Sequence, residues 1–132
     1  MKASGFMLTK SELEIMELMW QEEKPLTSSQ IIELSVDRTW KKSYVHLLIN
    51  SLIEKGMIEV SGFVKTTKNY ARTFTAKVSK EEYSVSQFTS LNSFNDKDIP
   101  KIVSALIAQT DDLDLIVELE KIISERKAEL NA

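Results

Sequence analysis

The chain has 132 residues, of which 42% are hydrophobic and 28% charged, and its net charge is −3. This length and composition fit one or two small globular units and exclude a disordered chain. With no cysteine and a single histidine, His46, thiolate and histidine-based metal sites are excluded, so we predict neither metal nor cofactor. No apolar stretch is long enough to span a bilayer and MKASGFMLTK is not a secretory signal, so we expect a cytoplasmic protein without membrane contact.

The net charge conceals three blocks of opposite sign. From Met1 to Asp37, three Lys are outnumbered by seven acidic residues. From Arg38 to Lys80 the balance reverses, with nine Lys or Arg against two acidic residues, and from Glu81 to Ala132 eleven acidic residues outnumber five basic ones. A basic block of this density is typical of a surface that contacts a polyanion; a solvated charged surface is the alternative.

Capping boxes open the first two predicted helices. Thr9-x-x-Glu12 precedes an apolar face that continues to Trp20, and Pro25 follows the end of that helix. Thr27-x-x-Gln30 then starts a short second helix.

A third helix is predicted over residues 41–55. Its inward face carries apolar residues at helical spacing: Val45, Leu48, Ile49, Leu52 and Ile53. Gly56 supplies the left-handed residue that closes the helix. The remaining residues are predicted to face solvent or a nucleic-acid groove, and the candidates for contact are Lys41, Lys42, Ser43, Tyr44, His46, Leu47, Asn50 and Ser51.

Beyond Gly56 the apolar period changes from helical spacing to two. Two strands rich in β-branched and aromatic residues flank the basic segment 65–69. Three helices followed by a hairpin are typical of a winged helix-turn-helix, in which the third helix enters the major groove and the hairpin follows the DNA backbone. The predicted phosphate contacts of the hairpin are Lys65, Lys68, Asn69 and Arg72.

Further helices are predicted in the acidic C-terminal block. The first starts at the capping box Ser79-x-x-Glu82, another has Pro100 in its first turn, and the last runs from Thr110 or Asp111 to about Leu130. Their apolar faces are too wide for lone helices, so a second copy is expected to cover them, with packing onto the first domain as the alternative. The residues assigned to this interface are Ile102, Leu106, Leu113, Ile116, Leu119, Ile122, Ile123 and Leu130.

The chain is therefore predicted to be mainly α with a small antiparallel β hairpin, an α+β fold. A winged helix-turn-helix domain occupies residues 1–80 and a helical dimerisation domain residues 81–132. No motif for a nucleophile or a phosphate-binding loop is present, and the carboxylate pairs are adjacent in sequence rather than opposed, so we predict no catalytic site.

The segment from Trp40 to Gly56 resembles the penicillinase and methicillin-resistance repressor family (BlaI/MecI/CopY type). The residues at the family's spacing are Trp40, Val45, Leu48, Leu52, Lys55 and Gly56, and Ile49 is a close substitute. Similar stretches are LTKSELEIMELMW at residues 8–20 and VSKEEY at residues 78–83. The resemblance implies a winged-helix repressor that dimerises through a helical C-terminal domain.

The chain departs from that family at several positions. Tyr44, Leu47 and Ser51 stand where the family usually has threonine, threonine and arginine, so the resemblance implies a different operator sequence. The stretch 92–95 reads NSFN and lacks the Asn-Phe bond at which repressors that respond to β-lactam sensors are cut. The lack of cysteine excludes the copper-responsive branch.

The resulting prediction is a dimeric repressor that binds a palindromic operator in double-stranded DNA. Two alternatives stay open, a winged-helix protein-interaction module and a regulator gated by a small molecule. A protease and a small-molecule inducer are both compatible with the sequence as further partners.

Overall fold

A computed structural model describes residues 7–132. The helices are α1 (Lys10–Glu22), α2 (Ser28–Leu34), α3 (Val45–Glu54), α4 (Lys80–Thr89), α5 (Ile99–Ile107) and α6 (Leu113–Asn131). The strands β1 (Ile58–Lys65) and β2 (Tyr70–Ala76) form an antiparallel hairpin between α3 and α4. The predicted class, mainly α with one small hairpin, is confirmed. No helix within residues 7–132 is both long and apolar enough to cross a membrane.

By internal contacts the chain divides into two units, one ending at Asn92 and the other running from Ser93 to Ala132. The predicted domains divide at residue 80 instead, and their first six residues lie outside the described part of the chain. The boundary of independently folding domains at residue 80 stays a prediction.

The predicted capping boxes are all present. The Thr9 amide donates to Glu12 Oε1 at 2.8 Å and the Glu12 amide donates to Thr9 Oγ1 at 3.2 Å. The boxes at Thr27 and Ser79 have the same reciprocal bonds. A fourth box, which the sequence reading missed, starts the short 3₁₀ turn Asp96–Asp98 before α5. These bonds satisfy amides that the first turn of a helix leaves without a backbone partner.

The core of the first unit lies between the three helices and the base of the hairpin. Its buried side chains are Ile15, Met16, Met19, Leu26, Ile31, Trp40, Val45, Ile49, Leu52, Met57, Ile58 and Phe74. The predicted inward face of α3 is confirmed, since three of its five residues are in this core and Leu48 and Ile53 pack against it. Full burial of such a side chain contributes about 1.5–3 kcal/mol, so this face fixes the orientation of α3.

The segment predicted as one helix over 41–55 is divided in two. Lys42–Tyr44 form a 3₁₀ turn, and the α-helix begins at Val45. At the other end Gly56 adopts φ +75°, which confirms it as the left-handed residue after the helix.

The hairpin carries a β-bulge at Ser61. Val60 is paired with Phe74 and Gly62 with Thr73, so Ser61 is an extra residue on β1. Backbone bonds of 2.8 and 3.0 Å between Leu26 and Phe74 tie the α1–α2 connection to β2. The hairpin is thereby anchored at its base, while its tip extends beyond the core.

In the second unit, α5 and α6 have no fully buried residue in the single chain. Pro100 lies in the first turn of α5, as predicted. The last helix begins at Leu113, slightly later than predicted, because Asp112 is its N-cap and accepts from the amides of Asp114 and Leu115 at 3.0 and 3.3 Å.

Candidate nucleic-acid interface

The two faces of α3 and its preceding turn differ sharply in burial. Val45, Ile49 and Leu52 are buried against the core. The predicted contact residues that are exposed are Lys41, Lys42, Ser43, Tyr44, His46, Leu47 and Asn50. This exposed surface, here called the α3 face, combines two lysines, three hydrogen-bonding side chains and two large apolar ones, of which Leu47 is 69% exposed.

Ser51 does not belong to the α3 face, and the expectation that it points to solvent or groove is corrected here. Its side chain is half-buried, and its hydroxyl donates a short hydrogen bond to Glu12 Oε2 on α1. The reason is positional: Ser51 lies one residue before buried Leu52 and one turn before Lys55, on the side of α3 that meets the start of α1.

Glu12 holds the C-terminal end of α3. Its side chain is buried, and its Oε1 accepts from Lys55 Nζ at 2.7 Å and from the Thr9 amide at 2.8 Å. Lys55 Nζ also donates to the Met7 carbonyl at 3.0 Å. The Glu12 carboxylate therefore completes the capping box of α1. It also binds the side chains of Ser51, in α3, and of Lys55, the C-cap of that helix.

Glu14 holds the other end of the same element. Its Oε1 accepts from the Thr39 amide at 3.0 Å, and its Oε2 accepts from the Thr39 hydroxyl at 2.6 Å. Thr39 lies just before Trp40 and the turn that leads into α3. Two carboxylates on α1 thus attach to the segments before and after the exposed residues of α3, and neither contact was predicted from the sequence.

The pKa of each of these two carboxyl groups lies below its ordinary value. Burial by itself raises the pKa of Glu12, but hydrogen bonds from Lys55, Ser51 and the Thr9 amide, with the charge of Lys55, bring that pKa below its ordinary value. The hydrogen bond from the Thr39 hydroxyl lowers the pKa of Glu14 in the same direction. The two anchors of α3 are therefore negatively charged at neutral pH.

The loop before α3 is held by Arg38 and Trp40. The guanidinium of Arg38 lies 5.4 Å from the centre of the Trp40 ring, and its Nη1 donates to the carbonyls of Ile32 and Ser35 at 3.3 and 3.4 Å. Among residues 7–132, Trp40 Nε1 is a buried side-chain nitrogen without a hydrogen-bond partner. The sequence reading placed Arg38 only within the basic block, whereas the structure gives its head group this role inside the loop.

The predicted contact residues of the hairpin, Lys65, Lys68, Asn69 and Arg72, are all exposed. The turn between the strands is closed by the Thr66 amide, which donates to the Asn69 carbonyl at 2.6 Å. Asn69 Oδ1 accepts from the Tyr70 amide at 2.9 Å, so the amide oxygen of this side chain supports the turn. The three basic residues remain available for phosphate oxygens.

In the second unit, the residues assigned to a dimer interface form uncovered apolar surface on α5 and α6. Exposed fractions of 53% or more are found for Leu106, Leu113, Ile122, Ile123 and Leu130. The other three, Ile102, Ile116 and Leu119, are half-buried. Exposed apolar surface on this scale is typical of a protein–protein interface.

Comparison with known proteins gives one match to a protein family. Residues 8–125 match the family described as "Penicillinase repressor". The matched span includes the α3 face, the hairpin and most of α6. No curated protein matches the sequence.

Solved structures of bacterial regulators are similar at low sequence identity. The ferric uptake regulator of Francisella tularensis is 18% identical, with 55% of this chain and 54% of that chain covered and a TM-score of 0.41. Lactococcus lactis ZitR, a zinc-responsive MarR family member, is 16% identical over 97% of this chain and 77% of that chain, with a TM-score of 0.45. Bacillus subtilis PadR, solved with operator DNA, is 16% identical over 91% of this chain and 71% of that chain, with a TM-score of 0.43.

Proposed function

Because the chain belongs to the penicillinase repressor family, and is thus a DNA-binding transcriptional regulator, we propose that it represses transcription as a homodimer on a two-fold symmetric operator. In this proposal α3 lies in the major groove and the hairpin follows the adjacent backbone. The observation that carries it is the exposed α3 face, which lies opposite the face of the same helix that packs on the core. No other helix of residues 7–92 has this combination of a rigidly packed side and a basic and polar exposed side beside a basic hairpin.

Each residue of the α3 face has a role that follows from its chemistry. Lys41 and Lys42 precede the helix and are proposed to pair with phosphates, which set register without reading sequence. The side chains proposed to hydrogen-bond base edges or phosphates are Ser43, His46 and Asn50. Tyr44 and Leu47 are proposed to make apolar contacts, for example with thymine methyl groups.

The hairpin contributes the sequence-independent part of binding. Lys65, Lys68 and Arg72 are proposed to neutralise phosphates, with Asn69 supporting the turn and donating from its free amide nitrogen. Ser51 is proposed to act from behind the α3 face, because its hydrogen bond to Glu12 fixes the rotation of the helix.

The second unit is proposed to form the dimer, within the C-terminal domain 81–132. Its apolar residues are uncovered in the single chain, and most of its charges are acidic, which disfavours DNA and leaves a protein surface as the partner. A two-fold axis through this unit would present two α3 faces to successive major-groove turns, so half-sites about 34 Å apart or a small multiple of that are expected.

DNA binding is tested by selecting bound fragments from genomic DNA with the full chain, and then by fluorescence anisotropy with the selected duplex in a salt series. We expect sequence-dependent binding whose affinity falls steeply as salt rises. Lys42→Ala should weaken binding to every duplex and reduce the log–log salt slope by about 1. Lys121→Ala, on α6, is the matched control and should leave affinity and slope unchanged. Binding that ignores both sequence and salt would contradict the proposal.

The dimer is tested by sedimentation of Ile123→Asp, because this side chain is 59% exposed and the substitution adds a charge without disturbing a monomer core. We expect a monomer with weakened operator affinity. Ala128→Asp is the matched control: it is also an exposed apolar position on α6, but the 100° spacing of a helix places it on the opposite side. A dimeric Ile123→Asp variant would refute the assignment of this interface.

A further inference from the structure

One face of the hairpin tip carries four exposed side chains in which aromatic and basic residues are paired. Phe63 lies directly opposite Arg72, and Lys65 directly opposite Tyr70. Directly opposite residues share a face, as do residues two apart on one strand, so the four form one surface, here called the wing patch. Phe63 and Tyr70 are 66% and 65% exposed.

The wing patch continues the side of the hairpin that packs on the helices. Phe74 lies on the same face and is buried in the core, and the Arg72 guanidinium is 5.2 Å from the centre of its ring. Ile58, at the base of β1, is buried on that face too, and β1 contacts α3. The wing patch therefore lies on the face of the hairpin that packs on the helices nearer the base, whereas Val64 lies on the opposite face.

The charges near the wing patch select its partner. No Asp or Glu occurs between Val60 and Lys80, and the exposed Lys68 lies in the turn next to the patch. Phosphates on the outside of the duplex can pair with Lys65 and Arg72. They present no apolar surface on which the two exposed aromatic rings could pack. The minor groove offers both chemistries, since phosphates line its two edges and deoxyribose rings form apolar walls between them.

We propose that Phe63 and Tyr70 pack against the deoxyribose walls of the minor groove next to the bases that α3 reads, while Lys65 and Arg72 pair with the phosphates at its edges. This inference rests on the proposed function and adds a contact to the DNA flank that basic residues alone do not make. The aromatic contacts are apolar, so they contribute affinity that does not depend on counterion release.

The experiment compares Phe63→Ala and Tyr70→Ala with Val64→Ala in the full chain. Val64 is the matched control because it is an apolar residue on the same hairpin, 44% exposed, and on the opposite face. Anisotropy is measured in a salt series with two duplexes, one with the selected site and long flanks and one trimmed to the bases under α3. Lys65→Ala provides a variant in which a phosphate contact alone is removed.

We expect each aromatic variant to weaken binding to the long duplex about tenfold, the size of effect that partial burial of a ring gives. The salt slope should stay at the wild-type value, and the defect should disappear on the trimmed duplex. Lys65→Ala should instead reduce the slope by about 1, and Val64→Ala should bind as the wild type does.

Aromatic variants that bind the long duplex as tightly as Val64→Ala would overturn the inference. A defect of equal size on the trimmed duplex would also overturn it, since the rings would then act away from the flank. If the variants bound DNA normally but sedimented as smaller species, the patch would contact a second copy instead. Failure of the proposed function looks different, because the unsubstituted chain would then show no sequence-dependent binding to either duplex.

Discussion

Removal of the buried Glu12 carboxylate is expected to loosen the attachment of the C-terminal end of α3 to α1. Glu12 is 2% exposed and accepts hydrogen bonds from Lys55, Ser51 and the Thr9 amide. Glu12→Ala leaves the Lys55 ammonium, whose side chain is 24% exposed, with only the Met7 carbonyl. Because breaking a buried ion pair by removing one partner costs about 3–5 kcal/mol and Lys55 regains some water, we expect a loss near 3 kcal/mol.

The assay is urea unfolding of the full chain, followed by tryptophan fluorescence at a fixed protein concentration. The chain has two tryptophans, Trp20 and Trp40, and both lie in the first unit, so the signal reports on that unit. A double-mutant cycle with Lys55→Met isolates the pairwise energy, for which we expect about 1.5–3 kcal/mol.

Glu12→Gln is the control for shape, because it keeps the side-chain oxygen that accepts from the Thr9 amide but loses the charge. It should fall between the wild type and Glu12→Ala in unfolding free energy. If Glu12→Ala costs less than about 1 kcal/mol, or the coupling to Lys55 is near zero, Glu12 does not anchor the end of α3 and the reasoning is refuted.

Other outcomes follow from the same structure. In the same urea unfolding experiment, Gly56→Ala should lower the unfolding free energy by about 1 kcal/mol, because φ is +75° there although the space for a methyl group is open. Gly62→Ala should be nearly neutral, because the added carbon would meet a Thr73 oxygen at an ordinary contact distance of 3.5 Å. Trp20→Phe should cost about 1 kcal/mol by circular dichroism melts, since it removes the 2.8 Å bond to the Val78 carbonyl; an unchanged melting temperature would contradict this. The pKa values of Glu12 and Glu14 are lower in the folded chain, so the stability that these carboxylates contribute is complete above the ordinary glutamate pKa of about 4.3 and is lost as pH falls through the folded-state pKa values. Glu14→Gln should therefore lose less unfolding free energy than the wild type as the pH is lowered. An equally steep decline in the variant would contradict the contribution of Glu14.

Local signals in the sequence predicted most of the fold. Capping boxes at Thr9, Thr27 and Ser79 each connect residues three apart, so the pattern alone places the helix starts. Gly56 and the apolar face of α3 are local in the same sense. The whole fold class follows from such short-range information, since each helix or strand is specified mainly by its own segment.

The side-chain contacts that hold the candidate site could not be predicted from such local patterns. As the third residue of α1, Glu12 already has a partner in the capping box, yet it also binds Ser51, which is 39 positions away along the chain. No spacing rule links these two residues, and a polar residue on a helix resembles a groove contact whether or not it has an internal partner. The bond between Glu14 and Thr39 was missed for the same reason.

The surface that covers the C-terminal helices could not be predicted from the sequence for a different reason. Their apolar faces were visible in the sequence, but a periodic pattern states only that a face needs cover and does not identify what covers it. In the single chain Leu113 and Leu130 are 73% and 69% exposed. Exposure of this size indicates that another surface covers these side chains but does not identify that surface.

The bulge at Ser61 gives the hairpin a property that its composition does not reveal. Ser61 adds a residue to β1 without shifting the pairs beyond it, so its loss would leave Phe63 opposite Arg72 and Lys65 opposite Tyr70. A bulge does, however, bend its strand and increase the local twist. One residue therefore sets the direction in which the tip leaves the core while the chemistry of the tip stays the same. Deletion of Ser61 would change the direction of the hairpin tip and would leave α3 and the paired residues of the tip unchanged.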